Sequence, residues 1–383
     1  MIVIIKNKFS TILIISIFLL PFTVFAEKAT QNFDIESPHA VLMDQETGRI
    51  LFEKNSKEVC SAASLMKIMN ELLIIEAIEN GELEEHDNIA ISDNASSCSG
   101  TNVWLKSGEN LSAKDLLKSI SMVSANDASI ALAEHTEGSE GKFVAKMNEK
   151  ASNLGMQSTI FKNAVGADED GNVSTAYDIA IMSRELINHK SIIPYSATWI
   201  DHIRNGSTQL VNTNKLLKTY PGSTGLKTGT SEKAGSCISA TVEKNGVKLI
   251  AVILGAKNPN ERFKEVKSLL DYGFSEFIKV SPEEATIPSS IKVRNGMLKE
   301  INVKSTPLKS ILMLKNNSKN ISSEITLEEE LIAPVRENQK VGEVKYLQND
   351  NLLYTCDITT SDSTDEINFK DVFHKMLEQF LKL

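Results

Sequence analysis

The sequence predicts an α/β (α+β) domain made of an antiparallel sheet with helices, then a small C-terminal all-β domain and an amphipathic tail helix. Strand-like runs occur near the start and again beyond residue 227, with helical patterns between them. This order is typical of one antiparallel sheet completed by both ends of a domain. Beyond about residue 280, short apolar stretches alternate with polar turns. A chain of 383 residues is also too long for one small domain.

The first 26 residues have the pattern of a secretory signal peptide. Lys6 and Lys8 precede an apolar run over 11–25, and the small-residue site Val24-Phe25-Ala26 follows. The run is shorter than the ~20 residues that a membrane span needs, which favours a cleaved leader over a retained membrane helix. We therefore expect residues 1–26 to be removed and the protein to be exported and extracytoplasmic.

Charge and cysteine content exclude several functions. The chain has 41 basic and 50 acidic residues, a net charge of −9, and no Lys/Arg cluster, so we expect no nucleic-acid partner. Scattered cysteines without a Cys-x-x-Cys pair predict no metal site and no cofactor. Export permits disulfides, but the spacing does not say which cysteines pair. The four are Cys60, Cys98, Cys237 and Cys356.

The first domain is expected over residues 27–279. It opens with a hairpin, 40–44 and 49–53, whose turn ends at Gly48. A second hairpin, 236–242 and 247–254, turns at Asn245-Gly246. Between and after these strands the apolar spacing predicts helices at 65–80, 113–123, 127–136, 141–154, 176–188 and 260–278.

The second domain is expected over residues 280–360, beginning near Ser281-Pro282. It offers no titratable cluster, which favours a spacer or docking module. Its predicted strands are 301–303, 310–314, 325–327, 341–346 and 352–358.

Residues 365–383 predict an amphipathic helix. Its apolar residues recur at three- and four-residue steps, with charges between them. From the residues alone, packing on the protein and binding to a membrane surface both remain open.

Three short motifs occur in one order along the chain: Ser64-Leu65-Met66-Lys67, Ser124-Ala125-Asn126 and Lys227-Thr228-Gly229. Copies of the first two patterns occur elsewhere, for example at Ser139–Lys142 and Ser92–Asn94, but Lys-Thr-Gly occurs once. The ordered set is typical of penicillin-recognising acyl-transferases. Taken singly, each motif has a structural explanation, such as an N-cap serine or a solvated lysine.

The first motif supplies a nucleophile and a base. Residues three apart share a helix face, so Lys67 is expected beside the Ser64 hydroxyl. A serine attacks carbonyls poorly unless a base takes its proton, and lysine acts as that base only when burial or nearby positive charge lowers its pKa. Lys227 is a candidate for that charge.

The second motif lies between two predicted helices, which would project its side chains into a cleft. Ser124 is a candidate to relay a proton to the leaving amine, and Asn126 to hold a substrate amide. Capping of the following helix is the alternative. The rival copy at Ser92-Asp93-Asn94 is a weaker candidate, because a loop-like stretch over 95–100 follows it and no helix pair would hold it in a cleft.

The third motif is expected on an edge strand beside the cleft. Lys227 and Thr228 are candidates to bind a substrate carboxylate. Gly229 would leave room for substrate backbone, and the Thr230 amide with that of Ser64 would form an oxyanion hole. The alternative is an ordinary turn before a strand.

With these motifs the chain resembles the D-alanyl-D-alanine carboxypeptidases, the low-molecular-mass penicillin-binding proteins of the S11 serine peptidase type. Further matching segments include Asp44-Gln45-Glu46-Thr47-Gly48, Thr159-Ile160-Phe161-Lys162-Asn163 and Leu270-Asp271-Tyr272-Gly273-Phe274. The resemblance implies a serine β-lactamase/DD-peptidase-like fold, Ser64 as the acylated nucleophile and Lys67 as its base. It implies the D-Ala-D-Ala end of a peptidoglycan stem peptide as substrate and β-lactam antibiotics as covalent inhibitors. It also favours attachment of the tail helix to the outer face of the cytoplasmic membrane.

Two departures and two rival functions accompany the resemblance. Ala62 and Met66 stand where the family commonly has proline and threonine, which affects pocket shape more than the reaction. A serine β-lactamase is the nearest rival, but 159–172 holds only Glu169 as a candidate glutamate for deacylation. A catalytically silent wall-binding protein is the other rival. The sequence is compatible with either carboxypeptidase or endopeptidase action, and with a role in either vegetative growth or sporulation.

Overall fold

The structure is a computed structural model that describes residues 33–317 and 320–381. The signal peptide expected at residues 1–26 lies outside the described residues.

The six helices predicted for the N-terminal part are present, and three short helices that were not predicted accompany them. They are α1 (Lys67–Glu79), α2 (Asp93–Ser97), α3 (Ala113–Val123), α4 (Asn126–Glu137), α5 (Glu140–Asn153), α6 (Ala176–Asn188), α7 (Ile193–Ser196), α8 (Leu216–Thr219) and α9 (Pro259–Glu276). A 3₁₀ turn, Ala63–Met66, leads directly into α1. The strands of this part are β1 (His39–Asp44), β2 (Ile50–Lys54), β3 (Asn88–Ala90), β4 (Asn110–Ser112), β5 (Ile200–Ile203), β6 (Thr208–Val211), β7 (Ser223–Ser231), β8 (Gly235–Lys244), β9 (Val247–Ala256) and β10 (Phe277–Val280).

One antiparallel sheet organises this part, in the order β2-β1-β9-β8-β7. The predicted completion of the sheet by both ends of the domain is therefore confirmed, and β7 lies at an edge. Alternate residues of each strand enter different cores, as the pleat requires. Val41 packs with the central helices, whereas Leu42 packs with α9 on the opposite face.

Helix α1 lies at the centre of the helical layer. Ten of its residues are buried, from Lys67 to Ala77, because apolar side chains surround it on all sides. Gly81 follows the helix with a left-handed backbone, at a φ of +75°, which favours glycine after a helix C-terminus. A polar group placed early on α1 is therefore removed from water.

Two predicted boundaries were wrong. The stretch over 95–100 was expected to be a loop, but α2 occupies Asp93–Ser97, because the Ser92 hydroxyl accepts the Ala95 amide and caps it. A five-residue helix is too short to show a periodic apolar pattern. The helix expected over 260–278 ends at Glu276, and the chain continues as β10.

The C-terminal part is all-β, as predicted. Its strands are β11 (Ser290–Arg294), β12 (Glu300–Ser305), β13 (Ile311–Leu314), β14 (Ile321–Leu327), β15 (Glu330–Ile332), β16 (Lys340–Gln348) and β17 (Asn351–Thr360). Six of them form one sheet in the order β14-β16-β17-β12-β11-β15, while β13 pairs with β10. The pairing of β10 with β13 joins the end of the first part to the second. Helix α10 (Phe369–Phe380) follows.

Candidate active site

The 3₁₀ turn before α1 places Ser64 beside Lys67. Ala63 has a left-handed backbone with a φ of +48°, and Lys67 is the first residue of α1. The Lys67 Nζ donates to the Ser64 Oγ at 3.2 Å, so a base lies in hydrogen-bonding contact with the hydroxyl. This arrangement is what proton abstraction from a serine nucleophile requires.

Lys67 is completely buried, at 0% exposure, although it carries an amine. Its other partners are the Asn126 Oδ1 at 2.7 Å and the Val165 carbonyl at 2.6 Å. Burial, and next the positive charge of Lys227, hold the pKa of the Lys67 amine well below its ordinary value; Glu71 and Asp127 oppose that shift. A neutral lysine at this position can accept a proton.

Ser124 ends α3 in a left-handed conformation, with a φ of +64°. Left-handed backbone at a non-glycine residue costs about 1 kcal/mol, and such strain concentrates at functional sites. The turn reverses the chain into α4, so Ser124 and Asn126 project from one tight connection. Within the described ranges, the Ser124 Oγ is buried and has no hydrogen-bond partner.

Asn126 connects two walls of the site. Besides accepting from Lys67, its side chain donates to the Ser99 carbonyl at 2.7 Å. Gly100 lies directly over it, since a Cβ there would come 2.5 Å from the Asn126 Nδ2. The amide group predicted to hold substrate is thus held by the 99–101 loop on one side and the base on the other.

Edge strand β7 closes the site on the opposite side. A Cβ added at Gly229 would lie 3.0 Å from the Ser64 amide nitrogen, so the strand passes immediately beside the nucleophile turn. The Thr228 hydroxyl pairs with that of Thr213 at 2.8 Å, and the Thr213 amide donates to the Met122 carbonyl on α3. These bonds tie the third motif to the helix that carries the second.

Lys227 is buried at 1% exposure, and its Nζ has no hydrogen-bond partner among the residues that the structure describes. Burial lowers its pKa to about 8; the carboxylate of Glu71 opposes this shift and the charge of Arg262 adds to it. An ammonium of this kind is suited to an anionic group. The structure therefore brings the residues of all three motifs around one region.

Several supporting residues were not found from the sequence. Arg262 on α9 donates to the carbonyls of Gly229 and Cys237 and to the Thr230 hydroxyl, which fixes the end of β7. Asp168 accepts from Ser61 and Ser231 and so joins the start of the nucleophile turn to the same strand. No local motif marks them, because each acts across 25 or more residues of chain.

Glu169 does not take the position that a class A β-lactamase glutamate would need. Its side chain is exposed and accepts a hydrogen bond from the Asn163 Nδ2 at 2.9 Å. The group of this segment that contacts Lys67 is instead the Val165 carbonyl, which accepts a hydrogen bond from the lysine amine. Cys60, Cys98, Cys237 and Cys356 are free thiols in the structure.

Comparison with known proteins agrees with this geometry. The family model for D-alanyl-D-alanine carboxypeptidase (peptidase S11) matches residues 25–258, and that for the penicillin-binding protein 5 C-terminal domain matches residues 278–366. The chain is 37% identical to the D-alanyl-D-alanine carboxypeptidase DacF of Bacillus subtilis, covering 95% of this chain and 96% of the relative. It is 31% identical to DacC of Escherichia coli, covering 92% and 90%.

Solved structures give the same answer. Penicillin-binding protein 5 from Haemophilus influenzae superposes with a TM-score of 0.76 at 26% identity, over 88% of this chain and all of that one. Ampicillin-bound penicillin-binding protein D2 from Listeria monocytogenes superposes with a TM-score of 0.59 at 32% identity, over 64% of this chain and all of that one. The chain therefore belongs to the S11 family of D-alanyl-D-alanine carboxypeptidases.

Proposed function

We propose that the protein is a serine-type carboxypeptidase that removes the terminal D-alanine from peptidoglycan stem peptides through an acyl-enzyme on Ser64. The observation that carries the proposal is the 3.2 Å contact between the Ser64 Oγ and the amine of Lys67, which is fully buried. A base with a lowered pKa beside a serine hydroxyl is the minimum machinery for acyl transfer.

The chemistry runs in two halves. Ser64 Oγ attacks the carbonyl carbon of the penultimate D-alanine while its proton passes to the Lys67 Nζ, and the amides of Ser64 and Thr230 stabilise the oxyanion. Collapse breaks the peptide bond, and the leaving amine takes a proton through the Ser124 hydroxyl. Water then hydrolyses the ester and restores Ser64.

Substrate recognition falls to the remaining motif residues. Lys227 and Thr228 bind the terminal carboxylate of the substrate, since the ammonium is buried and its Nζ has no hydrogen-bond partner among the described residues. Asn126 binds the substrate amide. β-Lactam antibiotics carry a comparable carboxylate and a reactive amide, so they acylate Ser64 and inhibit the enzyme.

Mass spectrometry after benzylpenicillin treatment tests the nucleophile. We expect one adduct on the peptide that holds Ser64, and none in Ser64→Ala. The matched control is Ser139→Ala, because Ser139 also precedes a lysine by three residues but caps α5 at the surface. Labelling that survives in Ser64→Ala would contradict the assignment.

Release of D-alanine from a stem peptide ending in D-Ala-D-Ala separates the rival functions. We expect release by the wild type and a long-lived penicillin adduct. Rapid penicillin turnover would indicate a β-lactamase, and neither release nor adduct a silent wall-binding protein.

Export and membrane attachment complete the proposal. In α10, Phe369 and Phe380 are 84% and 82% exposed, and Phe373 stacks on Phe369, which gives the helix an apolar face suited to the outer surface of the cytoplasmic membrane. Within residues 33–317 and 320–381, no helix combines the length and apolar character needed to cross a bilayer. Flotation with liposomes tests attachment: the wild type should float, and Phe369→Asp with Phe373→Asp should stay at the bottom.

A further inference from the structure

A third buried ionisable group lies behind the two site lysines. Glu71 is one turn beyond Lys67 on α1, so the two side chains share a helix face. It is 1% exposed, and its Oε1 accepts a hydrogen bond from the Ser121 hydroxyl of α3 at 2.8 Å. Burial raises the pKa of this carboxyl above its ordinary value, and the charges of Lys227 and Lys67 and the bond from Ser121 offset that rise only in part. Neither the three motifs nor the mechanism above uses this carboxyl group.

Among the residues that the structure describes, neither lysine has a charged hydrogen-bond partner. Those of Lys67 are a hydroxyl and two carbonyl oxygens, all neutral. Lys227 is almost completely buried and its Nζ is unpartnered in the described part of the chain. An ammonium without a counter-charge is strongly disfavoured in such a setting. A nearby acid is therefore needed to keep either lysine protonated.

Glu71 is the acid whose charge acts on both lysines. Asp127, on α4, also acts on Lys67, but its oxygens accept the amides of Val103 and Leu105. The positive charge of Arg262, on α9, lowers the pKa of Lys227. The Cys98 thiol acts on Lys67 in the opposite direction and raises its pKa.

The remaining elements packed on α1 direct their charges elsewhere. From α5, Lys150 pairs with Glu76 at 2.5 Å, and from α6, Glu185 lies 4.0 Å from Lys150. These groups gather at the far end of α1. Glu71 is thus separated from them and shares its surroundings with the catalytic lysines.

We propose that Glu71 is a positioning residue whose carboxylate keeps the proton on Lys227 while Lys67 stays neutral. This inference rests on the proposed function, which needs a charged Lys227 to bind the substrate carboxylate and a neutral Lys67 to accept a proton. With Glu71 ionised, the three groups sum to zero charge, the state that a buried site tolerates best. In acylation the proton moves from Ser64 Oγ to Lys67 Nζ and then to the leaving amine; Glu71 gains and loses none.

The pH dependence of benzylpenicillin acylation tests the charge of Glu71. In Glu71→Gln the amide can still bond to Ser121 but the charge is gone, so both limbs of the bell-shaped profile move to lower pH. A displacement of one pH unit should raise the acylation rate about tenfold on the acid limb and lower it about tenfold on the alkaline limb.

Two control variants separate charge from packing. Ser121→Ala removes the hydrogen bond and keeps the carboxylate, so its profile should move much less than that of Glu71→Gln. Glu71→Asp keeps the charge and should restore most of the wild-type profile. An unmoved profile in Glu71→Gln, or an equal displacement in Ser121→Ala, would overturn the inference. Absence of any Ser64 adduct in the wild type would instead overturn the proposed function.

A measurement on the wild type keeps the inference testable if Glu71→Gln does not fold. With ¹³C-labelled lysine, the Cε signals of Lys67 and Lys227 report each charge, assigned with Lys67→Arg and Lys227→Arg. At pH 7 we expect Lys227 charged and Lys67 neutral. Both charged, or both neutral, would contradict the role of Glu71.

Discussion

Two copies of the Ser-x-Asn pattern differ in the hydrogen bonds that their side chains make. At Ser92, the hydroxyl caps α2 and donates to the Glu134 carboxylate, and Asn94 donates to the same carboxylate. At Ser124, the residue is left-handed, and its buried hydroxyl has no partner in the described ranges. Asn126 in turn contacts the base Lys67.

The difference separates structural from catalytic polar groups. A polar group that stabilises a fold is normally satisfied within the protein, because leaving it buried and unpaired costs about 1–3 kcal/mol. The Ser124 hydroxyl and the Lys227 amine are buried without a hydrogen-bond partner among the described residues. We expect substrate atoms to supply those hydrogen bonds. The sequence pattern is the same in both copies. They differ in whether the serine hydroxyl has a hydrogen-bond partner within the described protein.

The largest effect should come from removing the Ser124 hydroxyl. Ser124→Ala should lower the rate of D-alanine release by about 10²–10⁴-fold, because proton transfer to the leaving amine loses its relay. Thermal stability should not fall, since the hydroxyl makes no hydrogen bond with the described residues. Steady-state kinetics and a melting curve on the same preparation check both. Wild-type rates in this variant would end the distinction between the two copies.

A smaller effect is expected where the backbone of β7 passes the nucleophile. In Gly229→Ala the added methyl group would lie 3.0 Å from the Ser64 amide and 3.2 Å from the Ala62 carbonyl, both backbone atoms. Displacing the oxyanion donors should slow acylation by about 10²-fold. Stopped-flow measurement with a chromogenic β-lactam checks this. As a control, Gly141→Ala in α5 has no atom within 4 Å of the new methyl group and no left-handed backbone, and should acylate normally.

Much of the fold and the site residues could be predicted from the sequence, for physical reasons. Helix spacing brings Ser64 to Lys67 directly, and strand alternation with an Asn-Gly turn predicts the β8–β9 hairpin. Both the helix spacing and the strand alternation can be read from the local periodicity of apolar residues. Completion of one antiparallel sheet by both ends of the domain could be predicted because strand patterns occur at both ends of its sequence.

The features that could not be predicted from the sequence are contacts between residues far apart in the chain and one very short helix. Arg262 holds β7 from 33 residues away, and Glu71 meets Ser121 over a separation of 50. A single glutamate within an apolar helix has no pattern that marks it as buried. Helix α2 is capped by one hydroxyl and has too few residues to show a period.

The pH dependence of substrate binding should show a moderate effect. Burial lowers the pKa of Lys227 to about 8, so the group is charged below that pH and loses its charge as pH rises through it. The kcat/KM for a stem peptide should therefore fall about tenfold per pH unit above 8, chiefly through KM. Lys227→Arg retains its charge and should give a lower but flatter profile between pH 8 and 10. An alkaline limb that persists in this variant would assign it to another group.

The smallest effect is expected at the satisfied copy. Ser92→Ala removes the cap of α2 and one bond to Glu134, and should lower the free energy of unfolding by about 1 kcal/mol. D-alanine release should stay at the wild-type rate, because Ser92 bonds only to structural partners within residues 33–317 and 320–381. Urea denaturation together with the release assay measures both quantities. If Ser92→Ala lost activity at unchanged stability, a satisfied hydroxyl would no longer indicate a structural role, and the reasoning that selected Ser124 would fail with it.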